Sequence, residues 1–155
     1  MSMYDLFQTD TSLETKGVYQ DYGTFRVLLA RAGGSNKKFE RELEAKVKPF
    51  KRAIQTDTMD DEVAKKLFQD VFAKTVVLGW EVAVDAKGKP VPRSYDGEVT
   101  WASGMHGKNN DIIPFNVENT VATFKALPEL FNDLKAQSEK FSLYRQSVLE
   151  EDVKN

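Results

Sequence analysis

Apolar positions along the chain change period several times, and each change predicts an element. Residues 17–30, GVYQDYGTFRVLLA, mix β-branched and aromatic residues around Asp21-Tyr22-Gly23, which suits two short strands joined by a tight turn. Ala32-Gly33-Gly34-Ser35 then breaks the pattern, and Ser35 is placed to cap a helix. Phe39, Leu43, Val47, Phe50 and Ile54 follow at spacings of four, four, three and four, one stripe on a helical surface. Pro49 lacks a backbone donor and crowds the preceding turn, so a kink or break is expected near Lys48.

Thr58 followed by Asp60, Asp61 and Glu62 reads as a cap with carboxylates at the positive end of a helix dipole. The stripe that follows is Val63, Leu67 and Val71, with Phe68, Phe72 and Val76 alongside, wide enough for a core face. Residues 67–80, LFQDVFAKTVVLGW, carry this helix into an almost wholly apolar end, with Gly79 expected to close it. Val63, Leu67, Val71 and Phe72 are expected in the core, whereas residues 76–80 are expected to face a partner.

Gly, Pro, Asp, Lys and Asn dominate the next stretch, so residues 85–114 are expected as an irregular arm or insertion. Short strands are expected at residues 81–84 and 99–101, with Lys87-Gly88 as a turn. Asn116 can cap a third helix carrying Val117, Val121 and Phe124. Pro128 and Glu129 open a fourth, striped by Leu130, Phe131, Leu134, Phe141, Tyr144 and Val148. Residues 1–16 are expected to be flexible and the acidic residues 150–155 frayed. The pattern predicts one α+β domain, mainly α, over residues 1–155, with an N-terminal β-hairpin and the arm between the second and third helices.

Composition narrows the chemistry. The 155 residues carry 22 Lys and Arg against 24 Asp and Glu, a formal charge of −2, so no global field favours nucleic acid. Cysteine is absent and histidine occurs once, which removes disulfides, thiolate nucleophiles and Cys-ligated metals. No window approaches the roughly 20 apolar residues that span a bilayer, and the N-terminus has neither a basic start nor a sustained apolar run, so a cytosolic protein is expected.

Catalysis needs clustered groups of tuned pKa, and the chain offers few. His106, in Ser-Gly-Met-His-Gly-Lys, would need Asp96 or Asp111 folded onto it and is read as a loop histidine. Asp60-Asp61-Glu62 are consecutive on a helix and point apart, so a dipole role is preferred to a metal site. The glycines before Ser35 match neither a P-loop nor a dinucleotide fingerprint and are read as a turn. No catalytic, cofactor or metal residue is assigned.

One local charge excess stands out. Arg31, Lys37, Lys38, Arg41, Lys46, Lys48, Lys51 and Arg52 oppose only Glu40, Glu42 and Glu44, eight bases against three acids, a net of +5. A solvated face, an acidic protein partner and a phosphate backbone all remain open for it. Trp80, Trp101 and Tyr95 are likewise open between core and interface.

Three blocks together carry a resemblance: residues 30–39 (ARAGGSNKKF) with Pro49 and Arg52 downstream, residues 71–82 (VFAKTVVLGWEV), and residues 114–155 from PFNVENTVATF onward. In that order they resemble the tail assembly chaperones of long-tailed bacteriophages. The resemblance covers most of residues 17–155 and departs at residues 93–111, where 94–110 are extra. It implies a cofactor-free, non-enzymatic protein of the host cytoplasm that binds the phage tape measure protein, keeps it soluble and helps bring tail tube protein to it, then leaves before the virion matures. A virion-incorporated tail or head–tail connector protein is the alternative, and a small nucleic-acid-binding regulator a third. Self-association stays open and a membrane partner is not expected.

A chaperone for a helical client should offer a groove for side chains at i, i+3, i+4 and i+7. Val76, Val77, Leu78 and Trp80, with Phe124, Leu127 and Phe131, are the expected contact residues, provided the core does not consume them. Lys37, Lys38, Arg41, Lys48, Lys51 and Arg52 form the expected electrostatic face.

Overall fold

The structure, a computed structural model, describes residues 2–108 and 111–145. Two short helices, α1 (Met3–Phe7) and α2 (Thr11–Lys16), lead into the strands β1 (Val18–Asp21) and β2 (Phe25–Leu29). Then come α3 (Lys37–Val47), a 3-10 turn (Lys48–Phe50), α4 (Lys51–Gln55), α5 (Asp61–Thr75) and β3 (Val77–Val84). Strands β4 (Thr100–Ser103), β5 (Met105–His106) and β6 (Ile112–Ile113) follow. The helices α6 (Val117–Ala126) and α7 (Pro128–Glu139) and a 3-10 turn (Phe141–Tyr144) complete the described chain. The architecture is α+β, mainly α, with the expected hairpin at β1 and β2.

The sheet runs β1-β2-β3-β4, antiparallel throughout. Val27 pairs with Trp80 and Phe25 with Val82, so these side chains share the face turned to the helices. Phe72 of α5, Phe124 of α6, and Phe131 and Leu134 of α7 complete that core. On the other face Arg26 bonds Glu81 at 2.8 Å and lies between the rings of Tyr19 and Trp101, at 3.9 and 4.4 Å from their centres. Trp101 is therefore neither core nor free, and Tyr95 is 40% exposed.

The largest correction falls on residues 76–80. The helix does not run to Gly79: α5 stops at Thr75, and the apolar run becomes the start of the central strand. Asn36 explains the switch. Its side-chain amide donates to the carbonyls of Arg31 at 2.8 Å and Thr75 at 3.0 Å, while the Ala30 amide takes the Val76 carbonyl at 2.8 Å. Satisfied from outside, these carbonyls need no further helical turn, and the β-branched pair Val76-Val77 favours extension.

Asn36, not Ser35, also caps α3, accepting from the Phe39 amide at 3.3 Å. Asp60, not Thr58, caps α5 through the amides of Glu62 and Val63. Pro49 does break the helix where expected, the 3-10 turn carrying the chain from α3 to α4. Asn116 caps α6, and Pro128 opens α7, as read from the sequence. The fourth helix is shorter than its stripe implied, since Phe141 and Tyr144 lie in the 3-10 turn and Val148 falls outside the described residues.

Residues 2–16, expected to be flexible, form α1 and α2 and are tied down by Glu14. Its carboxylate accepts from Arg31 Nη1 at 2.6 Å, Ser35 Oγ at 3.0 Å and Thr9 Oγ1 at 3.1 Å. The glycine turn exists for this contact: Gly34 has φ +55°, and a Cβ there would meet Glu14 Oε2 at 1.8 Å. In the arm, Asp85 closes the expected Lys87-Gly88 turn by accepting from the amides of Lys87 and Lys89, the strand expected at residues 99–101 is present as β4 (Thr100–Ser103), and β5 and β6 form a short pair that was not expected. The acidic residues 150–155 lie outside the described residues.

Candidate binding groove

Gly104, between β4 and β5, holds φ +113°, and a Cβ there would lie 2.5 Å from the Ile112 side chain of the β5–β6 hairpin. Trp80 anchors the hairpin from below, donating Nε1–H to the Ile113 carbonyl at 3.1 Å and meeting Phe115 edge to face. Asn119 fixes the exit, its amide group bonding the Pro114 carbonyl at 2.9 Å while its backbone N–H binds the Asn116 cap at 2.7 Å.

Between this hairpin and α6 lies an open groove of about 720 Å³, floored by Met105, Ile113, Ala122 and Ala126. His106, Lys108 and Asp111 supply its polar rim. A smaller hollow of about 270 Å³ continues it toward Phe25, Val82 and Leu130. Leu127 borders both and is 54% exposed. The break between α6 and α7 puts it there: Pro128 starts a new helix, so Leu127 holds a non-helical φ of −127° on the surface.

The expected contact residues divide sharply. Val76, Val77, Trp80, Phe124 and Phe131 are buried in the core and are corrected as contact residues, because sheet pairing and helix packing already use their surfaces. Leu127 borders the groove, and Leu78 is 37% exposed at an irregularity in the β2–β3 pairing. Val63, expected in the core, is instead 38% exposed. Lys37, Lys38, Arg41, Lys48, Lys51 and Arg52 are all exposed, and among the described residues only Lys37 of these six has an ion pair, with Glu40 at 3.4 Å.

His106 lies on β5, not in a loop, and lines the groove with Asp111. Among the described residues no three His, Asp or Glu side chains gather as a metal would require, and no helix is long and apolar enough to cross a membrane. Sequence reasoning missed the Glu14 cluster and the Tyr22 hydroxyl bond to Asp133, which joins β-hairpin to α7. Burial and Asp133 push the Tyr22 pKa well above its ordinary value. For Glu14 burial acts upward, but the bonds from Arg31, Ser35 and Thr9 outweigh it and hold the carboxyl below its ordinary range.

Fold and groove thus define a mainly α, α+β domain with an apolar recess on its surface. Residues 34–102 match the model of the YdaY prophage protein family, a span from the glycine turn into β4 that is just under half of the chain. That match points to a phage-derived protein. No curated protein and no solved structure matches the chain.

Proposed function

We propose that this chain is a phage tail assembly chaperone, a binding protein and not an enzyme, acting in the host cytoplasm. Its client is the tape measure protein encoded by the same phage, which it keeps soluble while tail tube subunits are recruited. The observation that carries the reading is the groove beside α6. It is apolar, open, and bordered by an exposed leucine held at a helix break, features suited to one face of an amphipathic helix. The prophage match supports the setting, and the exposed cations of α3 and α4 supply a face that attracts acidic client segments.

Two measurements test the assignment. Affinity purification of the tagged chain from phage-infected cells should recover the tape measure protein, and Leu127→Asp should weaken that recovery. Mass spectrometry of purified virions should find no stoichiometric copy of the chain. A stoichiometric copy would favour the structural, virion-incorporated alternative.

A further inference from the structure

A second recess lies along the seam of α5 and α6. It holds about 330 Å³, with Phe50, Val63, Leu67 and Val121 as its apolar lining and Lys46, Lys66, Lys125 and Asp70 as its charged lining. An adjoining hollow of about 410 Å³ shares Lys66 and Lys125 and adds Lys65, Gln69 and Glu62. On α5 the lining positions 62, 63, 65, 66, 67, 69 and 70 recur at helical spacing, so they form one continuous strip. On α6, Val121 and Lys125 line this seam, whereas Asn119, Ala122, Thr123 and Ala126 line the groove beside the hairpin. The two recesses therefore use different faces of one helix.

The electrostatics decide what such a seam would take. Four lysines line it against two carboxylates, and one of those is already neutralised: Asp70 bonds Lys46 at 2.7 Å and Lys74 at 3.2 Å. Lys65, Lys66 and Lys125 have no ion pair among the described residues. Val63 lies 38% exposed in the first turn of α5, after Asp61 and Glu62, and lines the recess together with Lys46, Lys66 and Lys125. Flanking Phe50 in the chain, Lys48, Lys51 and Arg52 are exposed and have no ion pair among the described residues.

We propose that the α5–α6 seam docks an acidic amphipathic helix of a partner protein. Apolar side chains one turn apart on that helix rest on Phe50, Val63, Leu67 and Val121, and carboxylates beside them reach Lys65, Lys66 and Lys125. An acidic helix supplies the missing anions, whereas a purely apolar one would leave the lysines uncompensated and a basic one would be repelled. This site does not depend on the chaperone reading, because it lies on the other face of α6.

The test uses the full chain and defined peptides of about five helical turns. A Leu/Glu peptide with its leucines on one face is titrated against the chain by fluorescence anisotropy. Two controls accompany it: a Leu/Lys peptide of the same pattern, and a scrambled Leu/Glu peptide with no apolar face. The amphipathic acidic peptide should bind at least roughly tenfold more tightly than either control. Lys65→Glu/Lys66→Glu/Lys125→Glu should abolish binding, and Val63→Asp should weaken it roughly tenfold or more. The titrations are made in the Leu127→Asp background, which removes the contribution of the other groove. Circular dichroism melts establish that each variant is folded, and the triple glutamine variant serves where the charge reversal melts early. Equal binding of the scrambled peptide, or affinity unaltered by the lysine substitutions, would overturn the proposal. So would displacement of the peptide by a duplex oligonucleotide, which would make the seam a phosphate-binding surface.

Discussion

Glu14 shows how one side chain can organise a terminus. Its carboxylate is 1% exposed as a residue and joins Thr9, Arg31 and Ser35, so the first helices, the end of the hairpin and the glycine turn meet on one group. Replacing it with Gln is expected to cost roughly 2–3 kcal/mol, less than a fully buried pair because Arg31 keeps some access to water. Urea denaturation of the variant measures this. Gly34→Ala should be destabilising by roughly 1–3 kcal/mol, since both the backbone conformation and the Glu14 oxygen oppose a Cβ.

The same residues set the pH range. Because the folded pKa of Glu14 lies below its ordinary 4.5, its stabilising contribution is complete above that value and declines as pH falls through the lowered pKa. Tyr22 and Tyr144 move the opposite way, raised by burial from an ordinary 10.0, with Asp133 adding to the shift at Tyr22. Their contributions are complete below 10.0 and decline as pH rises beyond it. Thermal melts across pH should show both edges, and Tyr22→Phe should soften the alkaline one. None of this was legible beforehand: a lone glutamate in a polar N-terminal stretch looks solvated until its partners, 17 and 21 positions away, are brought to it.

Among the elements, β3 taught most. By periodicity the apolar stretch of residues 67–80 reads as helical and its end as a contact surface. An unbroken apolar run fits a buried strand as well as a helix, and the deciding contacts, Asn36 to the Thr75 carbonyl and Ala30 to the Val76 carbonyl, are remote in sequence. The hairpin, the break at Pro49 and the starts of α6 and α7 were legible because turn residues, proline and Asn caps act locally. The exposure of Leu127 follows from Pro128, which starts a new helix just after it, whereas the groove needed the β5–β6 hairpin, hidden in a stretch that reads as loop.

Two substitutions separate the roles of these elements. Trp80→Ala removes a core ring and its bond to Ile113, with an expected loss of roughly 3–5 kcal/mol. Leu127→Asp changes an exposed position, so its stability should stay within about 0.5 kcal/mol of wild type. Parallel urea titrations of the two variants check the contrast.

For the whole molecule, the sheet and helices leave two recesses on different faces of α6, one apolar and the other bordered by lysines. A long helical client engaged at both would be held more firmly than at either alone, through effective concentration. The prophage match places the chain among phage-derived proteins, and the chaperone role proposed here gives such a surface a use. Co-expression with the tape measure protein of the same phage is the most direct measurement. The soluble fraction of that protein should rise strongly with the wild-type chain and fall back toward its unassisted level with Leu127→Asp. Equal solubility with and without the wild-type chain would contradict the chaperone reading.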